Sequence, residues 1–172
     1  NLEHSGHVRV YKYDGSLWQK RGGDIDGEAA TDNSGYSLSL SADGSIVAIG
    51  APFNDGANVN DLGHVRIYKW REYTDDDIEN GESKFHHTST SSQTKPIIIT
   101  GDGNPEPEST QFYWTQLGLD IDGEATGDQC GYSVSLSADG TIVAFETQNT
   151  VAPFVSVYKY DGSLWQKNGD FR

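Results

Sequence analysis

Two short stretches of this chain carry acidic side chains at a spacing that suits the binding of a cation. The first is DIDGEAATD at residues 24–32, and the second is DIDGEATGD at residues 120–128. Acids stand at positions one, three, five and nine of each stretch: Asp24, Asp26, Glu28 and Asp32, then Asp120, Asp122, Glu124 and Asp128. A tight turn can point alternate side chains inward, so these eight residues are candidate ligands and calcium is the candidate ion.

The same acids have a second interpretation, in which they only shape a turn. The glycine stands at position four, whereas the sharp-turn glycine of an EF-hand loop stands at position six. Tyr36 and Tyr132 stand near the place where such a loop carries its bidentate glutamate. Aspartate and glycine are also common turn formers. The two acidic connections, as we call residues 24–32 and 120–128, therefore either bind calcium or fold a corner.

Two further polar stretches offer candidate ligands. FNDGANVND, the rim loop at residues 53–61, presents side-chain oxygens that suit a cation or the hydroxyl groups of a sugar. Its candidate binding residues are Asn54, Asp55, Asn58, Asn60 and Asp61. His86 and His87 follow three consecutive aspartates and are candidate transition-metal ligands. In both stretches the alternative is a solvated loop without a ligand.

Composition and charge restrict the class of partner. The formal net charge is -14, which disfavours nucleic acid and anionic lipid surfaces as partners. No apolar run approaches the roughly 20 residues of a membrane helix, so we expect no membrane insertion. The remaining partners are a protein or glycan ligand, or copies of the chain itself. Cys130 is the single cysteine, so no intrachain disulfide can form, and we expect a small buried side chain there.

The chain contains none of the common catalytic motifs, and we predict that it is not an enzyme. It has no nucleophile elbow, zinc motif or phosphate-binding loop. Trp18, Trp114 and Trp165 recur at one position and would suit a platform on which sugars stack. One aromatic residue at the same strand position of every repeat also suits packing between repeats, and we favour that interpretation.

These residues are carried by a repeating unit of four predicted strands. VYKYDGSLWQK occurs identically at residues 10–20 and 157–167, and a divergent copy begins with GHVRIYKW at residues 63–70. The unit runs through an acidic connection, YSLSLS, an Asp-Gly turn, IVAIGAP, and two further strands. Tyr36, Leu38 and Leu40 alternate with serines, which predicts a strand with one buried face. The Asp-Gly pair between two strand-like runs predicts a hairpin.

The repeat predicts an all-β fold of antiparallel four-stranded blades, as in a β-propeller. Each unit spans about 50–57 residues, which is the size of one blade. Residues 1–172 then form a single incomplete propeller of about two and a half blades. Residues 71–112 form a long inserted hairpin loop, because they replace the YDGS turn of the other copies and are polar and acidic.

Residues 34–52, SGYSLSLSADGSIVAIGAP, resemble the FG-GAP repeat of integrin-alpha-type β-propellers. Gly35 matches the first glycine of the pattern, residues 50–52 are a literal Gly-Ala-Pro, and Val65, Ile67 and Tyr68 match its third strand. Ser34 and Cys130 stand where the family has an aromatic residue. The family's calcium loop is reduced to SADGS and SADGT, so its calcium ligands do not transfer to this chain.

The resemblance implies a place outside the cell or at the cell surface. We therefore predict a non-catalytic extracellular binding or adhesion module, with calcium as its candidate cofactor. The alternative is a self-assembling structural protein, of the filament or surface-layer type, that docks through open blade edges.

Overall fold

The computed structural model describes residues 3–55, 60–72, 112–148 and 153–171. Every regular element in these ranges is a β-strand, so the all-β prediction is confirmed. The described residues also contain no helix that is long and apolar enough to cross a membrane. The strands up to the insertion are β1 His7–Val8, β2 Tyr11–Tyr13, β3 Trp18–Lys20, β4 Ile25–Asp26, β5 Ser37–Leu40, β6 Ile46–Ala51 and β7 His64–Glu72. Those after it are β8 Phe112–Gln116, β9 Ile121–Asp122, β10 Cys130–Leu136, β11 Ile142–Thr147, β12 Phe154–Tyr160 and β13 Trp165–Phe171.

The strands form open antiparallel sheets in the order that the repeat predicts. β10, β11, β12 and β13 make one four-stranded sheet in sequence order. β5, β6, β7 and β8 make a second, in which β7 also pairs with the short strand β9. Near the beginning of the chain, β1 pairs with β4 and β2 pairs with β3. No sheet among the described residues closes into a barrel. Glu72 pairs with Phe112, so both ends of the insertion predicted at residues 71–112 belong to strands, and residues 73–111 lie outside the described residues.

Each acidic connection contains a short strand that the sequence analysis treated as part of a turn. β4 pairs with His7–Val8, and β9 pairs with His64–Val65. The isoleucine between the two aspartates is the reason, because Ile25 and Ile121 are both buried. Side chains alternate along a strand, so burying the isoleucine directs the aspartates on either side of it away from the core.

The core lies on both faces of the sheet formed by β5 to β8. Ile46 and Ala48 of β6 face one apolar cluster, which extends to Val143 and Trp165. Val47 and Ile49 face the other cluster, which includes Val8 and Ile25. A strand that is buried on both faces needs a continuous apolar run, and this explains why IVAIGA does not alternate.

The predicted buried face of β5 is exposed, which corrects the sequence analysis. Tyr36, Leu38 and Leu40 are 48%, 52% and 45% exposed. The serine face is the one that contacts the next repeat: Ser37 Oγ donates to the carbonyl oxygen of Gly131, and Ser39 Oγ accepts from the backbone N–H of Leu136. The side chains of β5 alternate as predicted. The buried face is the serine face, because small hydroxyl side chains fit the close approach of β10 and leucines do not.

Ser34 and Cys130 lie where two backbone segments approach closely. This approach explains why small residues stand where the FG-GAP pattern has an aromatic residue. Cys130 forms an isolated parallel bridge with Gly63, and Ser34 forms the same bridge with Gly6. A Cβ atom on Gly63 would lie 2.3 Å from the backbone nitrogen of Cys130, and its φ of 68° also favours glycine. Cys130 is fully buried, as expected, and burial raises the pKa of its thiol.

Two of the three recurring tryptophans, Trp114 and Trp165, pack between repeats, as the favoured interpretation predicts. Trp114 Nε1 donates to the carbonyl oxygen of Arg21 at 2.9 Å, and Trp165 Nε1 donates to that of Leu117 at 2.7 Å. The two acceptors are 96 residues apart and stand at equivalent positions of the repeat. Trp18 has no such neighbour in the described chain and is 69% exposed.

The hydrogen bonds in the two SADG turns, at residues 41–44 and 137–140, indicate that acid lowers the free energy of unfolding. The Asp43 carboxylate accepts from the Ser41 and Ser45 hydroxyls and from the Ser45 N–H, and Asp139 makes the same three bonds. The hydroxyl of Ser41 or Ser137 makes the largest contribution, followed by the backbone and hydroxyl groups of Ser45 or Thr141. These hydrogen bonds lower the pKa of each aspartate to about 2. Because the folded-state pKa is lowered, the ionised aspartates stabilise the fold at pH values above their ordinary pKa of 3.8. This stabilisation disappears as the pH falls towards about 2.

Urea unfolding at about pH 5, 3 and 2 measures this effect. We expect the free energy of unfolding to decline more steeply across this window in the parent protein than in the D43N/D139N variant. Equal slopes in the two proteins would contradict the prediction.

Candidate functional site

The last acid of each acidic connection holds its own loop together. Asp32 and Asp128 are both 2% exposed. Asp32 accepts from the backbone N–H of Ala29 at 2.8 Å and from Asn54 Nδ2 at 3.1 Å. Asp128 accepts from the N–H groups of Glu124 and Ala125. Backbone bonds also clamp the two connections to equivalent segments, since Gly27 donates to Gly6 and Gly123 donates to Gly63. Asp32 and Asp128 therefore have a structural role in their connections, and calcium binding by these connections stays a prediction.

The outward acids of the two connections have different partners. Asp24 is paired with Arg9 Nη2 at 2.8 Å and with Lys20, and these hydrogen bonds lower its pKa well below the usual range. Glu124 is paired with Lys167 at 2.6 Å. Asp122 is exposed, but partial desolvation of its carboxylate, and then the charge of Asp120, raise its pKa.

The four acids of one connection do not gather around a common point, but acids from the two connections meet at β7. Glu28 of the first connection and Asp120 of the second lie beside His64 at the start of this strand. One carboxylate oxygen from each acid and one ring nitrogen of His64 all lie within 4.8 Å of one another. We call Glu28, His64 and Asp120 the inter-repeat triad.

A buried polar face of β7 supports this triad. His64, Arg66 and Tyr68 alternate with Val65 and Ile67, and His64 and Arg66 are each only 1% exposed. Arg66 Nη1 pairs with Glu28 Oε1 at 3.2 Å, and Nη2 donates to the carbonyl oxygen of Asp26 at 2.9 Å. The guanidinium carbon of Arg66 also lies 5.8 Å from the centre of the Tyr68 ring. Arg66 therefore fixes Glu28 against the strand.

His64 is held in its neutral form. Burial, and then the positive charge of Arg66, lower its pKa to about 4, against the opposing influence of Asp120 and Asp32. Its Nε2 atom is buried and has no hydrogen-bond partner among the described residues. A buried polar atom without a partner is uncommon in folded proteins and calls for an explanation.

The sequence analysis did not identify His64 or Arg66 as site residues. The available signal was GHVR, which occurs at residues 6–9 and again at residues 63–66. His7 and Arg9 of the first copy are exposed, so the motif alone does not tell which copy is buried.

A second feature is a cluster of aromatic rings where β5 and β10 lie side by side, in which Tyr36 is exposed and Tyr132 and Phe53 are half-buried. The Tyr36 ring lies 5.0 Å from the Tyr132 ring and 5.9 Å from the Phe53 ring, measured between centres. Side-chain hydrogen bonding with Tyr132, and then partial burial, raise the pKa of Tyr36. We call Tyr36, Phe53 and Tyr132 the aromatic patch.

The rim loop begins at this patch, and its predicted binding residues have mixed environments. Asn54 is buried against Asp32. Asp55 Oδ1 accepts from the N–H of Asp61 at 2.9 Å, and Asp55 and Asn60 are exposed. Asn58, together with His86 and His87, lies outside the described residues.

Comparison with known proteins gives information on the fold. No protein-family model matches the chain, and no curated protein matches it. The fold is similar to a crystal structure described as a "putative 6-phosphogluconolactonase" from Bacteroides fragilis, with a TM-score of 0.50 and 13% sequence identity. The match covers 99% of this chain and 34% of that one, so the chain spans about a third of the length of the solved structure. At this identity the match shows a shared fold.

The comparison corrects the predicted function. The non-catalytic extracellular adhesion module is contradicted, because the solved structure that shares the fold is described as an enzyme. We withdraw that function together with its alternative, the self-assembling structural protein. The FG-GAP resemblance and the calcium site stay predictions. By fold, the chain is similar to about a third of the protein described as a "putative 6-phosphogluconolactonase".

Proposed function

We propose that this chain is part of a β-propeller that recognises a neutral, polyhydroxylated small molecule, such as a sugar or a sugar lactone, on its aromatic patch. The blades are the four-stranded sheets β5–β8 and β10–β13. Their sequential antiparallel order and their packing side by side support this arrangement. The first strands of the two blades, β5 and β10, then bring Tyr36 and Tyr132 together.

The observation that carries the proposal is the exposure of the Tyr36 ring beside two other rings. Tyr36 is 48% exposed although Tyr132 and Phe53 contact it. Aromatic faces stack on the apolar faces of sugar rings, while phenol groups and nearby amides bond the hydroxyls. Asp55 and Asn60 of the rim loop supply exposed oxygen atoms close in sequence to Phe53.

The charge of the protein selects a neutral ligand over a phosphorylated one. The net charge is -14, and Asp55 and Asp61 stand in the rim loop next to the patch. A phosphate group would be repelled there. The proposed ligand therefore shares the sugar character of the compound in the description of the solved structure, but not its phosphate.

Ligand-observed NMR with glucose, glucono-δ-lactone and glucose 6-phosphate tests the proposal. A binding free energy of about -0.3 kcal/mol per non-hydrogen atom of the ligand corresponds to a Kd in the millimolar range for a monosaccharide. We expect binding of the two neutral compounds and roughly fivefold weaker binding to the Tyr36→Ala variant, since a stacked ring contributes on the order of 1 kcal/mol.

Tyr13→Ala is the matched control, because Tyr13 is 51% exposed and contacts a neighbouring ring, that of Trp18, away from the patch. This variant should bind like the parent protein. The proposal fails if neither neutral compound binds, if both variants lose binding equally, or if glucose 6-phosphate is preferred.

A further inference from the structure

We infer that a divalent transition-metal ion of the zinc class binds between the two repeats, with Glu28, His64 and Asp120 as its protein ligands. The three candidate ligand atoms lie within 4.8 Å of one another, close enough to converge on one ion. One imidazole nitrogen and two carboxylate oxygens form a donor set that suits zinc, whereas calcium takes oxygen ligands. The site is independent of the aromatic patch and goes beyond the proposed function.

The environment of His64 is the observation that points to a ligand. His64 is 1% exposed, and within the described part of the chain its Nε2 atom has no hydrogen-bond partner. A satisfied core histidine would have a partner for this atom. Metal-binding histidines in proteins are neutral, and a coordinated ion would satisfy a nitrogen lone pair in this buried position.

Comparison of the two acidic connections explains why the ion should bind at Asp120 and not at Asp24. Asp24 is already neutralised by Arg9 and Lys20. In the second copy, Gln116 stands at the position of Lys20 and is a neutral donor to Asp120. Arg66 stands at the position of Arg9, but it pairs with Glu28. Among the described residues, Asp120 therefore lacks the cationic partners that Asp24 has, and its charge is available to a cation.

The remaining charges around the site favour a cation despite the presence of Arg66. Besides the carboxylates of Glu28 and Asp120, the carboxylate of Asp32 is near enough for its negative charge to act on His64. One guanidinium group offsets part of this negative charge. The ion pair with Arg66 uses Oε1 of Glu28, so Oε2 remains for a metal, and Arg66 acts as a positioning residue for this ligand.

Zinc titration of the chelator-treated protein, followed by thermal unfolding, tests the inference. His86 and His87 are replaced by asparagine in every sample, so that this adjacent pair cannot bind zinc. At about a hundred times its Kd, zinc should raise the Tm by about 5–10 °C. Co²⁺ serves as a spectroscopic probe, because its visible absorption reports coordination independently of stability.

The repeat supplies matched pairs of variants. Glu28→Gln and Asp120→Asn should each weaken zinc binding by roughly tenfold or more and remove the Tm increase. Glu124→Gln and Asp24→Asn change the equivalent residues outside the triad, and they should retain zinc binding. The Tm of each variant without metal is its own baseline.

Three results would overturn the inference. One is the absence of a zinc-dependent Tm increase in the protein that retains all three ligands. Another is an equal loss of binding in the Glu124→Gln or Asp24→Asn control. The third is a Tm increase with calcium that is as large as that with zinc and is lost in both Glu28→Gln and Asp120→Asn, which would show an oxygen-only site at these carboxylates.

Discussion

Replacing Trp165 by alanine should lower the free energy of unfolding by about 4 kcal/mol. Trp165 is 9% exposed and belongs to the cluster that includes Ile67 and Phe145. Its indole packs against Gly118, and its Nε1 donates to the carbonyl oxygen of Leu117 at 2.7 Å. The substitution therefore creates a cavity between two repeats and also removes the donor that satisfies a backbone carbonyl.

Trp18→Ala is the internal control for this substitution, because Trp18 stands in the same 11-residue sequence. Trp18 is 69% exposed, and its ring contacts that of Tyr13. We expect a loss below about 1 kcal/mol, as is usual for surface positions. Urea unfolding of both variants measures the difference. Similar losses in the two would show that Trp18 is covered in solution, or that Trp165 is not part of the core.

Replacing Glu28 by alanine should destabilise the protein by about 3 kcal/mol, even though its side chain is 32% exposed. The cause is its partner: the Arg66 side chain is 2% exposed, and the loss of Glu28 leaves a buried guanidinium without its carboxylate. Removing one member of a buried ion pair is costly for this reason, whatever the net contribution of the intact pair.

Glu124→Ala separates this effect from the general effect of losing an acid. Glu124 occupies the same position of the second connection, but its partner Lys167 is 31% exposed and also pairs with Asp170. A surface ion pair of this kind contributes below about 1 kcal/mol. Chemical unfolding in metal-free buffer compares the two variants. If Glu124→Ala proved as destabilising as Glu28→Ala, the special role of buried Arg66 would be refuted.

Local pattern alone predicted much of the fold. Alternation in YSLSLS, the Asp-Gly pair of each SADG turn and the apolar run of IVAIGA placed β5, β6, β10 and β11 in the right order. These signals are local because backbone hydrogen bonding and turn geometry depend on neighbouring residues. The face of β5 that is buried was predicted wrongly, because it depends on the backbone of β10, which is far away in sequence.

The candidate site was predicted only in part. The sequence singled out Glu28 and Asp120, but each was grouped with the other acids of its own connection. The triad takes one acid from each connection and a histidine from the strand between them. Sequence spacing cannot show such a convergence, because it is set by the packing of one repeat against the next.

By itself the sequence determined the repeat, its strands and the turns that join them, since these follow from residue type and local spacing. Tertiary structure alone decided the environment of each copy. Identical segments hold a buried Trp165 and an exposed Trp18, and the GHVR motif occurs once with a buried arginine and once with an exposed one. The physical reason is that burial depends on which repeat packs against a residue, and equal sequences have unequal neighbours.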